Sequence, residues 1–255
     1  MGDPIQRILG MKAAGEKIAA LTAYDYPMGR LLDEGGIDII LVGDSLGMVV
    51  LGFPDTTFVT MEHMVHHCAA VARGVKNALI VGDLPIGSCE TAGDALANSR
   101  RLVEAGAGAV KIEGPRLGEI RAVTEAGIPL MGHLGMLPQS VRQEGGYSVK
   151  GKTEAEADAL VEHARAVEAA GAFALVLELV KADVAARITA SVRIPTIGIG
   201  SGAGCDGQVL VTHDLIGLFP WFRPRFAKPE ADVAAEIRAA IAAYRRRVGA
   251  SGLPG

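Results

Sequence analysis

One arrangement of hydrophobic and polar positions recurs along the chain. A stretch with helical spacing closes on glycine, usually just after an acid, a short aliphatic run follows, and the run ends on a polar or charged residue. The copies are Glu34-Gly35-Gly36, IDIILVG and Asp44; Glu104-Ala105-Gly106, AGAVKI and Glu113; Glu125-Ala126-Gly127, IPLMG and His133; and Ala170-Gly171, AFALVL and Glu178. Glycine at a helix C-terminus tolerates the left-handed conformation that ends the helix. Near-continuous aliphatic runs are what strands buried on both faces require, so the pattern predicts a parallel sheet with helices between its strands.

Three more runs of this kind, IAALTAY (18–24), ALIVG (78–82) and IPTIGIG (194–200), bring the strands to seven. An eighth would close a (β/α)8 barrel of the TIM type, and a chain of 255 residues matches its size. For strand eight the candidates are VLVT (209–212) and DLIGLF (214–219), the first following strand seven by less than the dozen or so residues expected of a parallel crossover. The last helix is predicted over 230–247, with Val233, Ile237 and Ile241 on one face and a basic last turn suited to the helix dipole. With no Pro/Ser-rich linker, low-complexity tract or long charge run to divide it, 1–255 reads as one α/β barrel domain. The longest glycine-rich polar connection, 135–153, follows strand five and is a candidate lid.

Composition narrows the class. Hydrophobic residues at 49% against 21% charged describe a folding chain, and 33 glycines with only 4% aromatics suit an aliphatic α/β core with many tight turns. A net charge of −4 provides no footprint for a nucleic acid backbone, and no apolar run is long enough to span a membrane. Cys68, Cys89 and Cys205 are odd in number and widely spaced, which argues against disulfides and structural zinc. Together with an N-terminus lacking a signal-peptide core, they lead us to expect a cytoplasmic protein.

Active sites of such barrels lie at the C-terminal ends of the strands, where these runs finish on Asp44-Ser45, Asp83, Lys111 with Glu113, His133 and Glu178. Lys111 and Glu113 are two apart and share a strand face. If that face is the lumen, three carboxylates and a lysine occupy a small volume, and a hard divalent cation such as magnesium is the expected partner. The competing explanations are helix caps for the acids and a snorkelling surface lysine for Lys111. Glu178, flanked by aliphatic residues, has the setting in which desolvation raises a carboxyl into general-base range. His133 belongs near the mouth. His63, His66 and His67 have metal-like helical spacing, but they sit near no strand end and are expected to pack or cap. The segment 202–207 formally matches GxGxxG, yet no helix signal or ribose-binding acid follows it, so a dinucleotide is not expected.

These residues fall in blocks that closely resemble one family, ketopantoate hydroxymethyltransferase. The blocks are TAYDYP (22–27), LVGDSLGM (41–48), GDLP (82–85), VKIEG (110–114), GHLGMLPQS (132–140), GGYSVKG (145–151), LVLE (175–178), IGIGSGAGCDGQVLV (197–211) and RFAK (225–228). The resemblance implies transfer of a one-carbon unit from methylenetetrahydrofolate to 3-methyl-2-oxobutanoate, with Mg2+ as the metal and a homodecamer as the assembly. It further implies Asp44, Asp83 and a water-bridged Glu113 at the metal, Asp44, Ser45, Asp83, Lys111 and His133 around the 2-oxo acid, and Glu178 as general base. Ser201 stands where the family usually has alanine, and FPWFRP (219–224) replaces a more polar stretch.

The chemistry is coherent from first principles. A 2-oxo acid chelates a dication through its keto and carboxylate oxygens, which acidifies C3, and a nearby base can then generate the carbanion that attacks a methylene donor. Two rivals share parts of this pattern. One is a magnesium-dependent 2-oxo acid lyase or mutase of the phosphoenolpyruvate mutase/isocitrate lyase group, and the other is a catalytically silent assembly subunit.

Overall fold

The computed structural model describes residues 3–249. The chain divides after Val209 into two compact units. The first contains α1 (Pro4–Ala14), β1 (Ile18–Thr22), α2 (Tyr26–Glu34), β2 (Ile39–Val42), α3 (Leu46–Val49), α4 (Met61–Ala72), β3 (Leu79–Asp83) and α5 (Ala92–Glu104). It continues with β4 (Ala109–Glu113), α6 (Leu117–Glu125), β5 (Leu130–Gly135), α7 (Glu154–Ala169), β6 (Ala174–Glu178), α8 (Ala182–Ser191) and β7 (Thr196–Ile199), and β8 (Gly207–Leu210) ends at the boundary. The eight strands pair in sequence order into a closed parallel barrel, as the aliphatic runs predicted.

The glycines that close the repeated pattern do what that position requires. Gly36, Gly106, Gly127 and Gly171 have φ of 77°, 104°, 79° and 100°, in the left-handed region that side chains with a Cβ avoid.

Strand alternation sorts the side chains into two layers. One apolar cluster packs between barrel and helices and includes Ile40, Val42, Ile80, Val110, Ile112, Leu175 and Leu177. The other fills the lumen with Ile18, Ala20, Ile39, Leu79, Val81, Ala109, Met131, Ala174, Val176 and Ile197, and Ile8 of α1 joins it. Following the lumen positions along each strand, aliphatic residues give way to polar ones: Leu79 and Val81 to Asp83, Ala109 to Lys111 and Glu113, Met131 to His133, Ala174 and Val176 to Glu178. The lower lumen is therefore a packed plug and the upper lumen is chargeable. Lys12 of α1 reaches the carbonyls of Thr189, Val192 and Ile194 at 3.0–3.2 Å and Asp206 Oδ2 at 2.9 Å, which satisfies acceptors at the end of α8 and beyond it.

The eighth strand departs from the expected crossover length. β8 begins at Gly207, overlapping VLVT, and the connection from β7 contains no helix. Glycine makes so short a path possible: a Cβ on Gly202 would stand 2.6 Å from Ala182 Cβ, and one on Gly204 2.8 Å from Ala186 Cβ, so this loop lies flat on α8.

The second unit holds α9 (Thr212–Leu215) and α10 (Val233–Gly249). The last helix starts three residues later than predicted because Asp232 caps it, its Oδ1 accepting from the Ala235 N–H at 3.0 Å. Ile237, Ile241, Tyr244 and Val248 form an exposed stripe along α10.

Candidate active site

Barrel register places the chargeable residues beside one another. Asp83 pairs with Lys111 across β3 and β4, Glu113 with His133 across β4 and β5, and Gly135 with Glu178 across β5 and β6. Asp44 follows β2, and its backbone N–H donates to Asp83 Oδ2 at 3.3 Å. Asp44, Asp83, Lys111, Glu113 and His133 are all buried, at 5% exposure or less. The helix-cap and snorkelling explanations fail for these positions. The acids at 44, 83 and 113 face the lumen, and Lys111 Nζ lies 2.9 Å from Asp83 Oδ1 instead of reaching solvent.

The electrostatics follow from burial. Desolvation and the neighbouring Asp83 charge push the Asp44 carboxyl up to about 7. Desolvation likewise lifts Glu113 well above the ordinary carboxylate range, with Lys111 opposing. Burial would lower Lys111, but the attraction of Asp83, Glu113 and Asp44 overrides it and holds the ammonium above its usual value. For His133, burial and the Lys111 charge act together and keep the ring neutral.

The tautomer of His133 can be read from its neighbours. Lys111 Nζ lies 3.3 Å from His133 Nδ1, and an ammonium can only donate, so Nδ1 is the acceptor and the ring proton is on Nε2. Glu178 Oε2 is 3.3 Å from Nε2, a close polar approach without an aligned hydrogen bond. Glu178 thus has a polar neighbour that its aliphatic sequence context did not reveal. Desolvation still dominates and raises its carboxyl to about 7.

The backbone just after Glu178 is strained. Leu179, with φ of 48°, is the one non-glycine residue at positive φ among the described residues. Ser201 holds this turn in place: its Oγ accepts from the Val180 N–H at 2.9 Å and donates to the Leu177 carbonyl at 2.7 Å. Gly135 lets β5 come close here, since a Cβ at that position would stand 2.2 Å from the Glu178 carbonyl oxygen.

Two further residues complete the site that sequence reasoning did not single out, although both lie in blocks quoted for the resemblance. Tyr24, just past β1, shares a 2.8 Å hydrogen bond between its hydroxyl and Ser45 Oγ. Gln139 sits in a 3-10 turn (Pro138–Ser140) of the loop after β5 and bonds to Asp44, Glu113 and the Leu84 carbonyl. Two histidines of α4 make structural bonds. His63 closes a capping box with Thr60, and His67 Nδ1 lies 2.6 Å from the Tyr24 carbonyl oxygen.

Among the described residues no three His, Cys, Asp or Glu side chains converge closely enough to hold a metal by themselves. The donor set nevertheless fits magnesium as a partial shell. Asp44, Asp83 and Glu113 supply hard oxygens, and Glu113 Oε1 is buried without a hydrogen-bond donor. Such oxygens suit a cation whose remaining positions are filled by water and a chelating ligand.

Known proteins resemble this chain along nearly its whole length. The family model described as ketopantoate hydroxymethyltransferase matches residues 4–255. The chain is 52% identical over 254 residues to the 3-methyl-2-oxobutanoate hydroxymethyltransferase of Ignicoccus hospitalis, covering 98% of this chain and 96% of that one. It is 53% identical over 245 residues to the protein of the same name from Syntrophus aciditrophicus, covering 94% and 90%. Among solved structures, a phosphonopyruvate hydrolase in complex with oxalate and Mg++ superposes with a TM-score of 0.67 at 15% identity, covering 100% of this chain and 92% of that one. A 2,3-dimethylmalate lyase of the PEP mutase/isocitrate lyase superfamily gives 0.62 at 15%, covering 100% and 90%. At such identities these structures speak for the fold alone.

Proposed function

The chain belongs to the ketopantoate hydroxymethyltransferase family, and from that premise we propose how its barrel mouth carries out the reaction. The activity is hydroxymethyl transfer to 3-methyl-2-oxobutanoate, which gives ketopantoate. Methylenetetrahydrofolate is the one-carbon donor in this proposal. Asp44 and Asp83 would hold Mg2+ directly and Glu113 through water, and the bound ion would supply Lewis-acid polarisation of the 2-oxo group.

The protein's own groups divide the remaining work. Ser45, oriented by Tyr24, and Lys111 face the 2-oxo acid, and the Lys111 ammonium offsets negative charge that develops on it. Glu178 Oε2 takes the proton from C3. Water releases the one-carbon unit from the donor at the formaldehyde level as tetrahydrofolate leaves. The carbanion adds to that carbon to form the carbon-carbon bond, and the resulting alkoxide takes back the proton from Glu178 to become the hydroxyl. Neutral His133, with Nε2 3.3 Å from Glu178 Oε2, gives the base a polar neighbour that carries no charge.

The observation that carries this assignment is Glu178, a carboxyl lifted to about 7 at the rim of the lumen, where a base working near neutral pH belongs. Self-association, as a homodecamer, belongs to the same proposal and is supported by the exposed apolar stripe on α10. A cytoplasmic location fits three free cysteines, and among the described residues no helix is long and apolar enough to cross a membrane.

The test is exchange of the C3 hydrogen of 3-methyl-2-oxobutanoate in heavy water with magnesium and no folate. Wild type should exchange it, and Glu178→Gln should slow exchange by roughly 10² to 10⁴, the usual contribution of a positioned base. Undiminished exchange in the variant would move the base elsewhere, with His133 next in line. A silent assembly subunit would show no exchange, and a lyase or mutase would form no ketopantoate when methylenetetrahydrofolate is added.

A further inference from the structure

Gln139 touches two of the three carboxylates proposed to hold magnesium, and it does so from outside the barrel strands. Its side-chain Nε2 donates to Asp44 Oδ2 at 3.0 Å and to the Leu84 carbonyl at 3.0 Å. Its backbone N–H donates to Glu113 Oε2 at 3.2 Å. One residue therefore links the ends of β2, β3 and β4 to the loop after β5.

The consequences are geometric. A carboxylate with one oxygen hydrogen-bonded has lost rotational freedom and offers the other in a set direction. The Leu84 bond fixes where the Gln139 amide itself sits, so the constraint on Asp44 is anchored at both ends. Groups that hydrogen-bond a ligating side chain in this way tune the affinity of the ion. The loop is in turn anchored away from the carboxylates. Arg142 Nε bonds Asp55 Oδ2 at 2.8 Å and its guanidinium lies 4.6 Å from the Phe58 ring centroid, while the Lys150 N–H donates to the Leu179 carbonyl at 2.8 Å.

We propose that Gln139 is a positioning residue for the divalent cation, presetting Asp44 through its amide and Glu113 through its backbone, so that part of the affinity for magnesium is determined by the loop after β5. This rests on the assignment of Asp44, Asp83 and Glu113 to the metal. Gln139 makes no contact with the reacting atoms in this scheme. Its loss is felt in the magnesium concentration needed for activity, and turnover recovers once the site is saturated.

Calorimetric titration with magnesium chloride alone separates the possibilities. Wild type should bind, and Gln139→Leu, similar in size but unable to donate, should bind roughly 10- to 100-fold more weakly, the range seen when such supporting groups are removed. Gln143→Leu, an exposed substitution in the same loop, should bind as wild type does. In activity assays Gln139→Leu should need correspondingly more magnesium for half-maximal rate, with kcat at saturation within about threefold of wild type on the same argument. Gln139→Ser is the second variant and should behave alike if leucine unsettles the loop. Wild type that binds magnesium beside Gln139 variants of unchanged affinity would overturn the role of Gln139 while leaving the metal assignment intact. Wild type that takes up no magnesium would overturn the metal assignment, and the role of Gln139 with it. A loss of affinity as large in Gln143→Leu would assign the effect to the loop as a whole and also overturn the proposal.

Discussion

Among the described residues Lys111 is the one cation set between the buried carboxylates of the lumen, and replacing it with methionine isolates its charge because the unbranched stem keeps much of its packing. In the folded protein Lys111 Nζ lies 2.9 Å from Asp83 Oδ1, with 4% and 2% of the two side chains exposed. Removing one partner of a buried pair ordinarily costs about 3 to 5 kcal/mol, because the other charge is left uncompensated. Here a ceiling applies. A stranded carboxylate can take up a proton, at about 1.4 kcal/mol for each pH unit above its ordinary pKa near 4, so the cost is capped at about 4 to 5 kcal/mol at pH 7.5 and about 1.4 kcal/mol at pH 5. At roughly 2 to 4 °C per kcal/mol for a domain of this size, Lys111→Met should lower Tm by roughly 6 to 20 °C at pH 7.5 and by only about 3 to 6 °C at pH 5. Wild type has a slope of its own, which has to be subtracted. The Glu178 carboxyl is raised to about 7 by burial, so the native state binds its proton more tightly than the unfolded chain, and stability falls as pH rises from the ordinary carboxylate value through about 7. Thermal unfolding of both proteins, without magnesium, at the two pH values gives the difference directly. A deficit of the same size at both would show that the methionine disturbs packing and that the charge of Lys111 is not what balances the site.

Two further substitutions test the neighbouring parts. Asp83→Asn keeps the shape but removes a proposed hard ligand and the partner of Lys111, so magnesium should no longer strengthen 2-oxo acid binding in calorimetric titrations; equal affinity with and without magnesium in wild type would refute the chelate itself. Ser201→Ala leaves the buried Val180 N–H without its acceptor and should cost about 1 to 3 kcal/mol, read as a fall in Tm of roughly 2 to 12 °C, and an unchanged Tm would mean that the Leu179 turn holds without it.

The barrel was legible because each of its requirements leaves a mark on a single stretch of chain. A strand buried on both faces must be aliphatic throughout and the preceding helix must end where glycine permits it; seven stretches satisfied the first requirement and the four copies of the repeated pattern satisfied both. Strand eight left a weaker mark. Its span GQVL holds a glycine where a Cβ would meet the Ile18 carbonyl oxygen at 2.5 Å, and a glycine loop replaces the helix that normally announces the next strand. Spacing rules built on helical crossovers therefore pointed away from the correct segment, although VLVT overlaps it.

The site shows the same division at the level of single residues. Asp83, Lys111, Glu113, His133 and Glu178 were legible because a strand's alternation decides which way each side chain points. Once Ala109 faces the lumen, Lys111 and Glu113 must face it too. Tyr24 and Gln139 act through a loop hydroxyl and a loop amide, whose directions no periodicity governs, and uncharged groups gave no reason to look for a partner. The same holds for what Glu178 faces. Its own segment shows only aliphatic neighbours, while the imidazole opposite comes from β5, one strand over, and is brought there by the pairing of His133 with Val176 two residues short of Glu178. Register is a property of two strands together. It follows that charge and burial at this mouth can be anticipated strand by strand, whereas the groups that orient the charges emerge only when the barrel closes and the loop after β5 settles on Asp44.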